Sequence, residues 1–206
     1  MDTTTHLLFF KSVLIGFSIA APVGPIGLLT IQRTLEKGMT AGFATGMGAA
    51  FADMLYGAIG AFGVRWVIDA LSSARIHMAI VGGALLLWLA WQTWRTPIAT
   101  TAAKAPGGTN WASCFVGTFF LTLSNPATIL SFVAVFGALS GNVIGSISPL
   151  PMVLGVLCGS SLWWLTLSTL VAYGRRHFTD IWRQRINTIS AMALAAFALW
   201  QWASIF

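Results

Sequence analysis

The stretch GFSIAAPVGPIG occupies residues 16–27, inside an apolar run that covers about residues 7–32. A run of this length provides the roughly 20 residues that a membrane-spanning helix needs. Within it, Pro22 and Pro25 each remove a backbone donor and clash with the carbonyl four residues earlier. Gly24 is a suitable N-cap, and Pro25 suits the first position of a helix. The stretch therefore predicts a membrane helix that breaks near Pro22 and restarts at Pro25.

The rest of the chain is dominated by similar apolar runs. Of its 206 residues, 57% are hydrophobic and only 8% are charged, against about 25% charged in a typical soluble domain. This composition excludes a water-soluble enzyme. In lipid, backbone polar groups must bond internally, so long apolar runs become helices. We expect an all-α integral membrane protein with six transmembrane helices, at about residues 7–32, 41–64, 77–94, 111–139, 150–173 and 186–205.

The two halves of the chain resemble each other. Gly16 is followed nine positions later by Pro25, and Gly117 is followed nine positions later by Pro126. A Gly-x-x-x-Gly pair opens the second run, and another opens the fifth, at Gly42/Gly46 and Gly155/Gly159. Three helices per half would invert the second half relative to the first. The sequence thus predicts one transmembrane domain over 1–206, with repeats at about 7–94 and 111–206, a polar linker at about 95–110, and proline-broken helices one and four.

The two predicted breaks are candidate substrate sites. A helix that restarts exposes first-turn amides that bind anions such as carboxylates, and we expect these donors at Ile26, Gly27 and Leu28, and at Ala127 and Thr128. The prolines also free the carbonyls of Ser18, Ala21 and Thr122, which can accept from an ammonium. A simple proline kink without function is the alternative. The candidate substrate-binding residues at the breaks are Pro22, Gly24, Pro25, Gly27, Asn125, Pro126 and Thr128.

Asp53 is the one clear acidic residue inside a predicted span. Placing Asp near the bilayer centre costs about 2.5–3.5 kcal/mol, so it should be paired, protonated or facing an aqueous cavity. We expect it to hold a substrate ammonium or to carry the coupling proton; the alternative is a structural hydrogen bond to a neighbouring helix. Tyr56 lies one turn along on the same face and is expected to orient the carboxyl group.

Other polar residues are weaker candidates. Gln32 and Arg33 are expected to end the first helix at the interface, and Glu36 is expected to be interfacial. Serines on the fifth run, such as Ser160, are more often helix glue than ligands. Trp164 reads as packing or cavity wall. The three histidines do not cluster, so the sequence indicates no metal site and no cofactor.

Loop charges predict the orientation. Three basic residues lie on the N-terminal side of the predicted spans, whereas eight lie on the opposite side. Four of these eight lie in the loop at residues 175–185. Basic loops stay cytoplasmic, so both termini are expected to face outward. The net charge of +6 fits anionic lipid headgroups of a bilayer rather than nucleic acid.

The stretch at 16–27, followed by Gly38, Gly42, Gly46, Asp53 and Tyr56, resembles the first-helix signature of the LysE/RhtB family of amino-acid exporters. The Asn125-Pro126 pair and the Gly155/Gly159-Ser160 pattern also fit, and the similarity covers the whole chain. The resemblance implies multi-pass insertion in a bacterial cytoplasmic (inner) membrane and export of amino acids or related metabolites in exchange for protons. The family's motif falls on Pro22, Gly24, Pro25, Asp53, Asn125 and Pro126.

The substrate class stays open within this resemblance. The family includes exporters of basic amino acids, exporters of small neutral ones, and relatives that handle cadmium. A single intramembrane acid favours neutral or small amino acids. A divalent-cation transporter is the main alternative, although hard cations prefer several oxygen ligands. A thiol–disulfide carrier would need cysteines near both breaks, and a scaffold would not explain the matched breaks. A homodimer is also compatible with the sequence.

Overall fold

The computed structural model describes residues 3–22, 24–62, 73–95, 110–125, 128, 131–132, 149–174 and 180–203. Over these ranges the chain is helical and contains no strand, which confirms the predicted all-α class. The helices are α1 (Thr3–Ala20), α2 (Pro25–Lys37), α3 (Met39–Ala61), α4 (Arg75–Arg95), α5 (Trp111–Leu123), α6 (Leu150–Gly174) and α7 (Asp180–Ala203).

Several of these helices are suited to a membrane. In the described part of the chain, α4, α6 and α7 each contain a segment long and apolar enough to cross a bilayer, and α1 with α2 qualifies as one span bent by 80°. α5 is a shorter apolar helix. α3 has 23 residues and is not among these spans. The chain is therefore a helical membrane protein by length and composition, and the count of six spans stays a prediction.

The break in the first apolar run is confirmed. α1 ends at Ala20, Gly24 is the N-cap in an extended conformation, and α2 starts with Pro25. The Leu28 amide donates to the Gly24 carbonyl at 3.1 Å, which closes the first turn of α2. In the second half, α5 ends at Leu123, where the sequence predicts the matching break. Pro126 and Ala127 lie outside the described residues.

The expected end of the first helix at Gln32 and Arg33 is wrong, because α2 continues to Lys37. Gln32 is only 4% exposed. Both side chains form hydrogen bonds with neighbouring helices. α2 and α3 are joined by one residue, Gly38, with φ 97° and ψ 171°. This region of backbone space is essentially restricted to glycine, so the tight connection depends on that residue.

The last helix begins earlier than predicted. α7 starts at Asp180, so residues 180–185 belong to a helix and not to the basic loop expected at residues 175–185. Polar residues continue a helix as well as apolar ones do, so an apolar run marks only the part of a helix that lies in lipid. The fifth apolar run, predicted at about residues 150–173, agrees closely with α6.

Glycines set the closest helix crossings. α1 packs mainly on α6, α3 lies between α5 and α6, and α4 packs on α7. At Gly159 a Cβ atom would overlap the Val13 carbonyl of α1, and at Gly48 it would overlap the Phe115 carbonyl of α5. Gly46 leaves no space for a Cβ because the Trp164 side chain of α6 lies against it. The contact of Gly46 with Trp164 packs α3 closely against α6, the helix that Asp53 of α3 contacts.

Candidate functional site

A small cavity of about 100 Å³ lies where the α1–α2 break meets α3, α6 and the end of α5. We call it the break cavity. Its lining includes Thr122 and Trp164 together with most of the residues that the sequence singles out. Those predicted residues are Pro22, Gly24, Pro25, Gly27, Asp53, Asn125 and Thr128.

Asp53 lies on α3 with 4% of its surface exposed. Its Oδ2 atom accepts a hydrogen bond from the Ser160 hydroxyl of α6 at 2.7 Å. The Ser160 oxygen in turn accepts from the Trp164 indole nitrogen at 3.1 Å. Within the described ranges, Ser160 is the hydrogen-bonding partner of this carboxylate. The bond joins two helices, which is the structural role given above as the alternative for Asp53. It also fixes a carboxylate on the wall of a cavity.

The start of α2 supplies amide donors to the same cavity. Pro25 has no amide hydrogen, and the helix itself offers no acceptor to the first-turn amides of Ile26 and Gly27. The positive end of the helix dipole lies at the same place. The Leu28 amide is also expected to be an available donor, but this prediction is wrong, because the amide donates to the Gly24 carbonyl. The Thr128 amide likewise donates to the Asn125 carbonyl at 3.1 Å.

Tyr56 contacts the C-terminal end of α5. Its hydroxyl donates to the Leu123 carbonyl at 2.6 Å, at the C-terminal end of α5. The sequence suggested that Tyr56 orients the Asp53 carboxyl group, but the hydrogen bond goes to the backbone. The Thr122 carbonyl, expected to be free, accepts from the Asn125 amide at 3.1 Å. Tyr56 therefore donates a hydrogen bond to a carbonyl in the last turn of α5.

A second cavity of about 320 Å³ adjoins the break. It shares Pro22, Gly24, Pro25, Asn125 and Thr128 with the break cavity and extends towards α4 and α7. Its far wall includes Trp200 and Gln201. The broken backbone thus separates two spaces, one with Asp53 and one with aromatic and amide side chains.

A third cavity, of about 570 Å³, lies between the C-terminal halves of α2 and α4 and the start of α5. We call it the charged cavity, because Arg33, Glu36 and Lys37 line it. Arg33 donates through Nη1 to Thr45 Oγ1 at 3.0 Å, the Cys114 carbonyl at 3.2 Å and Thr118 Oγ1 at 3.2 Å. The interfacial positions expected for Arg33 and Glu36 stay a prediction.

Glu36 belongs to a second polar network in the C-terminal half of α2. Its Oε1 atom accepts from Gln32 at 3.0 Å and from Asn187 of α7 at 2.8 Å. Thr93 of α4 donates to the Gln32 side-chain oxygen at 3.0 Å. α2 is therefore tied by polar contacts to four other helices.

Sequence reasoning undervalued Ser160, Trp164 and Arg33. Ser160 and Trp164 are four residues apart on one helix face, a spacing that allows their contact to be predicted. Their approach to Asp53 depends on the crossing of α3 with α6, which no local pattern reveals. Among the described residues, no group of three or more His, Cys, Asp or Glu side chains could hold a metal ion.

Residues 17–201 match the family described as LysE type translocator. The chain belongs to this family. The match covers the α1–α2 break, the end of α5 and all the lining residues of the break cavity and of the charged cavity. A translocator family implies movement of small molecules across a membrane rather than catalysis.

Three curated proteins are similar to this translocator over most of its length. It is 32% identical over 157 residues to "Uncharacterized membrane protein YahN" of Escherichia coli (strain K12), covering 71% of this chain and 70% of that protein. It is 21% identical over 199 residues to "Putative amino acid efflux protein YcgF" of Bacillus subtilis (strain 168), with 94% of each covered. It is 24% identical over 180 residues to "Chemotactic transduction protein ChpE" of Pseudomonas aeruginosa, covering 86% and 88%. No solved structure matches the chain.

Proposed function

We propose that this translocator is a secondary active exporter of amino acids, small neutral or basic, or of related small metabolites. It exchanges substrate for protons by alternating access in a bacterial cytoplasmic membrane. The observation that carries the proposal is one cavity bordered both by a buried carboxylate, Asp53, and by the amide-rich start of α2. The name of the Bacillus subtilis relative, which refers to amino acid efflux, supports the substrate class.

The two ends of an amino acid suit the two sides of the break cavity. The first-turn amides at Ile26 and Gly27 and the helix dipole of α2 favour the carboxylate. The Asp53 carboxylate favours the ammonium group. The volume of about 100 Å³ is below the roughly 300–1,000 Å³ typical of drug-sized ligands, which favours a small substrate. A longer side chain would extend past the break into the adjoining cavity.

A single carboxylate is enough for exchange. A proton and an ammonium group cannot both be bound at Asp53, because each neutralises the same charge. Binding of one therefore displaces the other, and transport alternates between the two loads. The Ser160 hydroxyl is hydrogen-bonded to Asp53. It can stay near the carboxyl group both when Asp53 binds a proton and when Asp53 binds the substrate ammonium.

Two matched glycine crossings support the inverted repeat of two three-helix halves. Gly159 lies against the carbonyl of Val13 and the amide of Phe17, four residues later on α1. Gly48 lies against the carbonyl of Phe115 and the amide of Phe119, also four residues later on α5. Each half thus presents the same backbone groups of its first helix to a glycine on the other half's second helix, as a pseudo-two-fold axis requires.

The same crossings align Gly48 of the first half with Gly159 of the second. The Gly-x-x-x-Gly pairs of the sequence would instead align Gly46 with Gly159. Five residues after Gly48 is Asp53, and five residues after Gly159 is Trp164. An acid in one half then corresponds to an indole in the other, and both side chains meet at Ser160. This correspondence supports a substrate site with one charged and one aromatic wall.

Counterflow in proteoliposomes tests the proposal. Purified protein is given a panel of labelled amino acids, with Cd²⁺ and Mn²⁺ included. We expect exchange of one amino-acid class, reduced to the level of empty liposomes by Asp53→Asn, because the amide cannot neutralise an ammonium group or exchange a proton. Asp180→Asn, at the first residue of α7, is the matched control and should keep exchange within about twofold of wild type.

Other outcomes would decide against the proposal. Exchange of metal ions alone would make Asp53 a cation ligand and the protein a divalent-cation transporter. Full amino-acid exchange by Asp53→Asn would remove the centre of the mechanism. An imposed pH gradient should drive uphill substrate movement in the wild-type protein, and absence of that response would contradict proton coupling.

A further inference from the structure

We propose that the charged cavity is a second substrate site, in which Arg33 binds the carboxylate of the amino acid before it reaches the break cavity. This inference rests on the proposed function of amino-acid export. It assigns the cavity at the C-terminal end of α2 as the place where substrate first binds on the cytoplasmic side.

The guanidinium of Arg33 is held in a way that leaves a binding edge. Its hydrogen bonds to protein acceptors in the described ranges all start from Nη1 and reach α3 and α5. A guanidinium has five N–H donors, and those on Nη2 and Nε form the fork that binds a carboxylate with two parallel bonds. Arg33 lines the charged cavity, so that fork is the part of the side chain available to a ligand there.

Glu36 complements Arg33 on the same helix. The two residues are three positions apart and therefore neighbours on the surface of α2. Gln32 and Asn187 both donate to Oε1 of Glu36, which fixes the carboxylate beside the cavity that it lines. The cavity therefore has charges of both signs on its lining, the cations Arg33 and Lys37 and the anion Glu36, as a zwitterion has.

The location of the charged cavity fits an approach route. α4 ends and α5 begins beside it, at the end of the bundle that loop charges predict to be cytoplasmic. Arg33 is eight residues from Pro25, or about 12 Å along the axis of α2. The C-terminal end of a helix repels anions, so a carboxylate site there depends on the positive charge of Arg33.

The test compares an amino acid with its own primary amide, which lacks the carboxylate charge. The probe is the amino acid that wild-type protein exchanges most strongly in counterflow, and both compounds compete with it in inside-out and right-side-out membrane vesicles. In inside-out vesicles, wild-type protein should bind the acid roughly 10- to 100-fold more tightly than the amide. Arg33→Gln should reduce this preference about tenfold in inside-out vesicles and leave it unchanged in right-side-out vesicles.

A purely structural role for Arg33 would give a different result. If Arg33 only joined α2 to α3 and α5, its loss would weaken acid and amide binding equally. Arg33→Lys keeps the charge but not the fork, and it should give an intermediate preference even if Arg33→Gln folds poorly. Arg95→Gln is the matched control, because it removes an exposed cation at the same end of the bundle that lies over Trp91 at 4.4 Å.

The outcomes separate this inference from the proposed function. Active wild-type protein whose acid-over-amide preference survives Arg33→Gln overturns the second site alone. An equal loss of preference in both vesicle orientations also overturns it. Wild-type protein that exchanges no amino acid overturns the proposed function and this site together.

Discussion

At the scale of single residues, one hydroxyl connects the acidic and the aromatic side of the break cavity. Ser160 donates to Asp53 and accepts from Trp164, so the hydroxyl hydrogen has one favoured direction. All three side chains are buried. An unpaired buried polar group costs far more than a hydrogen bond gains, so Ser160 should contribute to stability as well as to substrate binding.

Replacing Ser160 with Ala tests this role. The change removes the donor to Asp53 and the acceptor for the Trp164 indole, and it should lower the free energy of unfolding by about 1–3 kcal/mol. Thermal unfolding of the detergent-solubilised protein measures the loss. Ser161→Ala, at the next and less buried position, should change stability by less than about 0.5 kcal/mol. Equal melting temperatures for the two variants would contradict the connecting role.

Predictability at this scale follows the chemistry of each residue. Asp53, Gly24 and Pro25 stand out in the sequence because an acid in lipid and a proline in a helix are costly wherever they lie. Ser160 and Arg33 become important only through the helices that cross beside them. Those crossings depend on the three-dimensional packing, which the sequence pattern does not specify.

At the scale of helices, two crossings depend on the absence of a side chain. α1 meets α6 at Gly159, and α3 meets α5 at Gly48, with backbone against backbone. Lipid tails are as apolar as the surface of a membrane helix, so the hydrophobic effect does not drive helices together there. Close van der Waals packing of this kind drives their association instead.

Gly159→Ala should therefore be destabilising. The new Cβ would overlap the Val13 carbonyl and lie 2.8 Å from the Phe17 amide, a conflict with backbone that costs about 1–3 kcal/mol. Gly117→Ala is the matched control, since a Cβ there meets nothing within 4 Å and Ala favours a helix interior by about 0.5–1 kcal/mol. Opposite shifts in melting temperature are expected, and equal shifts would count against the tight crossing.

Helix boundaries could be predicted where the backbone chemistry changes. The break between Ala20 and Pro25 is confirmed because proline alters the backbone itself. The extension of α2 to Lys37 could not be inferred from hydropathy, because its polar side chains are accommodated by other helices rather than by water. The early start of α7 has a similar cause, since charged residues can continue a helix beyond the lipid.

At the scale of the whole molecule, the remaining prediction is orientation. Basic residues favour the end of the bundle where α4 ends and α5 begins, so this end should be cytoplasmic and both termini external. The composition alone predicted the membrane class, and the apolar runs predicted which segments are helical but not all of the helix boundaries. The relation between the halves rests on two crossings, which the Gly-x-x-x-Gly pairs indicated only in outline.

Cysteine labelling in intact cells checks the orientation. With Cys114 and Cys158 replaced by Ser, a membrane-impermeant maleimide should label Thr4→Cys in intact cells but Thr109→Cys only after lysis. The reverse pattern would contradict the loop-charge prediction and would place the charged cavity on the external side.

The buried acid of α3 has a consequence for how the protein is made. α3 carries Asp53, and the helices that cover it, α5 and α6, are synthesised after it. When α3 leaves the ribosome, Ser160 does not yet exist, so the carboxylate has no partner. The translocon must therefore retain α3, or let it stay loosely inserted, until the second half emerges. Truncation of the chain before α6 should leave α3 poorly inserted and expose the first half to membrane proteases.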